Sequence, residues 1–267
     1  MKTAVAPVQP FFLVKTKRYL KMRKPSSPIV HYYGFSADAD SANTVMAVPD
    51  GCVDILLAIE GDKAHGEAYG SVTKCTAIDV RNGADYFGVR FMPGHIPKIL
   101  DAAIPSLING SVPITDFSGG ADLVEQIALS KNFEGRVELL QSFIGDEWRC
   151  DDLLRQLIAV ITLKEGNINV AGLEAETGYS TRYINRVFTE RLGIAPKLFP
   201  RVMRFQSLIQ RLNERCNMSL TDLAADCGYY DQAHFIKEFH EFALVAPHEY
   251  AHVVDLENYW SKIFMYA

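Results

Sequence analysis

The chain has 267 residues, 48% of them hydrophobic, and a formal net charge of -5, which marks a globular protein with room for two domains and excludes one that is basic throughout. Its five cysteines, Cys52, Cys75, Cys150, Cys216 and Cys227, are odd in number with no close pair, which speaks against a disulfide framework and a CxxC zinc site. No apolar run reaches the roughly 18 residues of a bilayer span and the N-terminus lacks a signal-peptide layout, so a cytoplasmic protein with no membrane partner is expected.

Residues 1–28 carry seven basic and no acidic side chains and include KTKRYLKMRKPSSP. This reads as a basic N-terminal arm, or an edge element leading into the first strand, with DNA contact as a secondary possibility. From 29 to 100 the pattern changes to short β-rich pieces, IVHYYGF, TVMAV, CVDILLAI, EAYGSV, CTAIDV and YFGVRFM, separated by Gly, Asp and Pro. Runs of this length predict an antiparallel sheet curled into a barrel or sandwich. From about 96 to 148 the spacing turns helical, as in ADLVEQIALS and GRVELLQSFIGDEW. A boundary near Arg149 to Asp152 gives a β-rich domain with trailing helices at 29–150, a helical domain at 151–252 and a tail or helix at 253–267.

Asp50, Cys52 and Asp54 alternate along one predicted strand, while His31, His65 and His95 are far apart in sequence. A metal or thiol site could be assembled from them. The stronger reading is structural: Asp50-Gly51 is a turn pair, Cys52 a small buried residue, and a lone histidine a hydrogen-bonding group. There is no phosphate-cradling Gly-rich loop, GxSxG or HExxH. No catalytic residue, metal or cofactor is assigned, and an enzyme is not expected.

The C-terminal half contains one pattern twice. Residues 171–199 and 221–250 each hold a short amphipathic run ending in Gly-Tyr, Gly178-Tyr179 and Gly228-Tyr229, followed by a second run and a closing proline, Pro196 or Pro247. Helix, Gly turn, helix is the layout of a helix-turn-helix, whose second helix can enter the major groove of DNA. In the first copy Asn169 and Ser180 are cap residues, and Ile184, Val187, Phe188 and Leu192 recur at buried spacing. Arg182, Asn185, Arg186 and Thr189 are then outward, and Arg and Asn match guanine and adenine edges. In the second, Ser219 with Asp222 is a capping-box variant and Asp231 caps the reading helix. Phe235 and Phe239 point inward, Gln232, His234 and Lys237 outward, and Ile236 meets either a thymine methyl or a neighbouring domain.

Between the copies Leu198, Val202, Phe205, Leu208, Ile209 and Leu212 recur at helical spacing, and Pro200 requires the helix to begin near Leu198 or Phe199. As a rigid connector it would hold the two reading helices about one DNA turn apart, roughly 34 Å. The basic residues Arg182, Arg186, Arg191, Lys197, Arg201, Arg204, Arg211 and Arg215 stand against Glu190 and Glu214 across 180–215. This local patch suits phosphate contacts despite the negative total, with weak nonspecific binding and a modest salt slope.

The segments GYSTRYINRVFTERLGIAPK, FPRVMRFQSLIQRL and GYYDQAHFIKEF, spread over most of residues 168–250, resemble the AraC/XylS family of bacterial transcription regulators. The resemblance implies an α+β chain: a β-rich N-terminal sensor or dimerisation domain, then an all-α C-terminal domain with two helix-turn-helix units. Carried over by position, base reading falls to Arg182, Asn185, Arg186, Gln232, His234 and Lys237; phosphate contact is expected of Ser180, Thr181, Arg201 and Arg204. Where the family usually has glycine after the second reading helix this chain has Leu244, which puts that turn and the docking of the last helix in question. VPDGCVDILLAI and YFGVRFMPG resemble an N-terminal domain of a subgroup of these regulators, across roughly residues 20–115. Double-stranded DNA is the expected partner, with a small-molecule effector, RNA polymerase and a second copy of the chain left open. The alternative is an enzyme or a metal- or thiol-dependent sensor in the β-rich domain, localised on DNA by the helical half.

Overall fold

The computed structural model describes residues 16, 18–24, 27–38, 44–149, 151–213, 219–253 and 263–266. Most of the basic arm, Cys150, Glu214, Arg215, Cys216 and residues 254–262 and 267 of the tail lie outside the described residues. Strands β1 (Tyr19–Met22), β2 (Ile29–Ser36), β3 (Thr44–Ala47), β4 (Val53–Glu60), β5 (Lys63–Tyr69), β6 (Thr76–Asp79) and β7 (Asp85–Phe91) dominate the first half. Short strands β8 (Ile96–Pro97), β9 (Ser111–Pro113), β10 (Trp148–Arg149) and β11 (Ile263–Tyr266) complete the set. One seven-stranded sheet runs in the order β11-β1-β2-β7-β4-β5-β9, while β3 with β6 and β8 with β10 form two-stranded sheets. The large sheet thus has two ends among the described residues and is not a closed barrel. Strand β1 lies in the stretch read as a basic arm or edge element, and β11 pairs with it in parallel.

Strand β4 explains the layering. Val53, Ile55, Leu57 and Ile59 alternate with Asp54, Leu56 and Ala58, so one face is apolar at every second position. That face packs against helices α2 (Gly120–Leu129) and α3 (Phe133–Ile144) through Leu123, Ile127, Phe133, Val137 and Leu140. A single turn, α1 (Ile104–Leu107), lies ahead of them. On the other face Arg90 of β7 sits directly across from Asp54 of β4. Its Nε and Nη2 donate to Asp54 at 3.0 and 2.9 Å, Nη1 pairs with Asp50 at 2.6 Å, and the Tyr33 hydroxyl donates to Asp54 at 3.2 Å. Burial pushes the Asp54 carboxyl above its ordinary range, and Arg90 pulls it back.

The second half is helical: α4 (Asp152–Leu163), α5 (Val170–Thr177), α6 (Thr181–Leu192), α7 (Leu198–Asn213), α8 (Leu220–Asp226), α9 (Gln232–Ala243) and α10 (Pro247–Val253). Helix α7 starts where Pro200 requires, with the proline in its first turn, and buries Val202, Phe205, Leu208 and Ile209. The two halves share a core, because Val48 and Cys75 pack with the helical cluster. Segment 48–52 is the seam. Gln206 of α7 donates to the Pro49 carbonyl at 2.6 Å, and a Cβ at Gly51 would lie 2.6 Å from Phe199 Cε2. Gly51 also holds φ +75°, so both its conformation and its neighbour require a residue without a side chain.

Leu244 ends α9 in the left-handed conformation, φ 57° and ψ 10°, with its N–H bonded to the His240 carbonyl at 2.9 Å. The turn is therefore the one glycine would make, built with a strained leucine. The last helix docks normally: the Tyr250 hydroxyl donates to Asn213 at 3.1 Å and its ring meets Phe239 edge-on.

Arg90→Met should strand two buried carboxylates and lower stability to urea by about 3–5 kcal/mol at pH 7. Without the guanidinium the Asp54 carboxyl rises further; a carboxyl raised in the folded state favours folding more as pH falls, so the deficit should shrink between pH 7 and pH 5. Leu244→Gly should raise stability by about 1 kcal/mol in the same assay, by relieving the left-handed leucine.

Candidate nucleic-acid interface

Both helix-Gly-helix hairpins form by the local chemistry that their sequences carry. Asn169 Oδ1 accepts from Gly172 N at 2.8 Å to open α5, and Gly178 closes it at φ 74°. Ser180 Oγ accepts from Tyr183 N at 3.4 Å to open α6. In the second hairpin Ser219 Oγ accepts from Asp222 N at 3.1 Å, and Asp231 Oδ1 from His234 N at 2.7 Å, so side-chain caps start α8 and α9 as well. The buried stripe of α6 is Ile184, Val187, Phe188 and Leu192, and that of α9 includes Phe235, Phe239 and Phe242.

Arg182, Asn185 and Arg186 are exposed on α6, and Gln232, His234 and Lys237 are exposed on α9. Asn185 Nδ2 donates to the Thr181 carbonyl at 2.7 Å, so a base would have to draw it from its own helix. The Arg186 guanidinium lies over the Tyr183 ring at 4.7 Å, and Tyr183 stacks on Tyr179 with centroids 5.6 Å apart. His234 backs against the Tyr229 ring and approaches Glu238 at 3.9 Å. Ile236 is 42% and Tyr230 91% exposed, so both add apolar surface beside the polar groups of α9.

The basic patch is smaller than its tally. Arg201 donates to Glu238 and Glu241, both at 2.7 Å, and Arg204 donates to Glu238 at 2.9 Å while lying over the Tyr229 ring. Glu238 is only 2% exposed, so these guanidiniums serve a buried carboxylate between α7 and α9. Arg211 pairs with Glu165 and Asp226, and Arg191 with Asp151. Among the described residues Arg182 and Arg186 make no such pair. The Thr181 hydroxyl donates to Glu174 at 2.5 Å, which sets a carboxylate beside one expected phosphate contact, while Ser180 is exposed. Sequence reasoning missed Tyr183, although its position three residues before Arg186 on one helix was a usable signal.

In the β-rich half, Cys52 and Cys75 are buried. Burial pushes the Cys52 thiol well up and that of Cys75 to about 11, the opposite of a reactive thiolate. His31 is buried, His65 pairs with Glu67, and His95 contacts the Pro93 carbonyl. Among the described residues no three His, Cys, Asp or Glu side chains gather as a metal ion would require, and no helix is long and apolar enough to cross a membrane.

Residues 173–252 match the family described as a helix-turn-helix domain, and residues 24–113 match a domain of unknown function, DUF6597. No curated protein matches the chain. Among solved structures, the C-terminal domain of AraT, a response regulator from Geobacillus stearothermophilus, is 19% identical over 39% of this chain and 87% of that one, with a TM-score of 0.37. ToxT from Vibrio cholerae O395 is 13% identical over 89% and 96%, with a TM-score of 0.43. ToxT from Vibrio cholerae strain SCE256 with bound unsaturated fatty acid is 12% identical over 89% and 94%, with a TM-score of 0.40. The chain thus carries a helix-turn-helix domain at 173–252 behind a DUF6597 domain at 24–113.

Proposed function

We propose that the protein is a sequence-specific transcription regulator that lays α6 and α9 into consecutive major-groove segments of DNA, under control of a signal received by residues 29–150. The AraC-type domain supports a DNA-binding regulator. The observation that carries the finer reading is the pair of side-chain-capped helices with polar outward faces, Arg182, Asn185 and Arg186 on one and Gln232, His234 and Lys237 on the other. Helix α7 is the spacer. If it is rigid, the reading helices lie about one DNA turn apart, roughly 34 Å.

Specificity on this reading starts from Arg186, pre-oriented by Tyr183 for a guanine edge. Phosphate anchoring falls to Ser180 and Thr181 at the start of α6, whereas Arg201 and Arg204 act as a clamp between α7 and α9. With so many of its arginines paired internally, the protein should bind nonspecific DNA weakly and show a modest salt slope.

On a duplex selected from a random pool, Arg186→Ala should weaken binding by about 1–3 kcal/mol by fluorescence anisotropy and relax preference at one base position. Equal loss on every sequence would reduce Arg186 to a phosphate contact. Tyr183→Ala should remove part of the same preference, and the double variant should lose less than the sum of the two. Arg204→Ala should leave the salt slope unchanged while lowering unfolding stability by about 1.5–3 kcal/mol; a slope reduced by about one would restore it as a phosphate contact.

A further inference from the structure

Helices α6 and α9 correspond residue for residue. Each has twelve residues, Thr181–Leu192 and Gln232–Ala243. Each is opened by a side chain that accepts from the N–H three positions on, Ser180 from Tyr183 and Asp231 from His234. Each is closed by a left-handed residue whose N–H returns to the carbonyl four positions back, Gly193 to Thr189 and Leu244 to His240. Ile184 and Phe188 are fully buried on α6, and Phe235 and Phe239 are fully buried at the matching places on α9. The two outer faces therefore share one register.

In that register the faces differ in chemistry. The outer strip of α6, at i, i+3, i+4 and i+7, is Arg182, Asn185, Arg186 and Thr189, and that of α9 is Ala233, Ile236, Lys237 and His240, all exposed. A methyl group and a branched aliphatic group thus stand on α9 where α6 offers a guanidinium and an amide. One exposed apolar side chain is ordinary on a protein surface. Ile236 is set apart by its place, next to Lys237 on the strip that faces the groove, with Gln232 and His234 flanking it. It is 42% exposed and joins no cluster of buried apolar side chains among the described residues. An aliphatic group cannot satisfy a donor or acceptor on a base edge, and covering one without a partner costs free energy. Among the four bases its complement in the major groove is the C5-methyl group of thymine.

We propose that α9 reads thymine by its methyl group, with Ile236 as the specificity-determining residue and the small Ala233 permitting close approach, whereas α6 reads hydrogen-bonding edges. This rests on the reading in which α6 and α9 enter consecutive groove segments, and it names what the second segment must contain.

The test uses the full chain and the duplex selected from a random pool, read by fluorescence anisotropy. The segment whose preference relaxes in Arg186→Ala belongs to α6, and the other belongs to α9. Each thymine is replaced singly by deoxyuridine, which removes one methyl group and leaves every hydrogen-bonding edge in place. At least one replacement in the α9 segment should weaken binding about four-fold, the effect of uncovering one methyl group. Replacements in the α6 segment should leave binding unchanged. Ile236→Ala should bind the thymine and deoxyuridine duplexes alike, and Ile236→Asn should move the preferred base at that position to adenine. Both substitutions fall at an exposed site, so thermal unfolding should stay cooperative. An α9 segment selected without thymine, no deoxyuridine effect there, equal effects in both segments, or a methyl effect that survives Ile236→Ala would each overturn the proposal and leave two-segment binding standing. Selection of no sequence, or of one segment alone, would instead sink the two-reader reading and this proposal with it.

Discussion

Helix α7 is the member on which the other elements of the helical half depend, and aromatic packing gives it that role. Phe199 meets Phe188 of α6 at 5.7 Å, and Phe205 meets Phe239 and Phe242 of α9 at 5.5 and 5.3 Å. Each exposed helix face is thus positioned relative to the same rod, one near its start and one farther along. Large rings in mutual contact resist small displacements, because close-packed interiors have few voids in which to shift. The Glu238 clamp adds direction to this packing, since a carboxylate gripped by two forked guanidiniums has little freedom to slide.

The chain uses its arginines inwardly. Arg90, Arg201 and Arg204 each satisfy a buried or half-buried carboxylate, and in each case the partner comes from another strand or helix. Such pairs contribute little net stability when intact and cost much when broken, so their effect is to select one arrangement of elements over its competitors. A negative total charge is then compatible with a helix α6 on which, among the described residues, Arg182 and Arg186 have no carboxylate partner.

Local signals were legible in the sequence and long-range ones were not. Helices α6 and α9 announced themselves through Ser180, Asp231 and the spacing of Ile184, Phe188, Phe235 and Phe239, all set within one helix. The start of β5 was hidden because Ala64, Gly66 and Ala68 carry almost no β signal, and the strand exists through its pairing with β4. The parallel pairing of β1 with β11, over 200 residues away, was invisible for the same reason. At the interface, exposure of the six expected base readers followed from helical periodicity. That Arg201 and Arg204 turn toward Glu238 did not, because a carboxylate nearly forty positions away decides it.

The seam at Gly51 also limits how such proteins can be recombined. A crossover placed in the stretch around 149–152 looks harmless by chain order, yet it separates Pro49 and Gly51 from the Gln206 and Phe199 that fit them. Any graft of this front half onto a foreign reader would have to carry both sides of that joint, or arrive with an unfilled carbonyl and a collision. Inheritance by whole units, in which front and back halves change together, is the expected consequence of one glycine with no space for a methyl group.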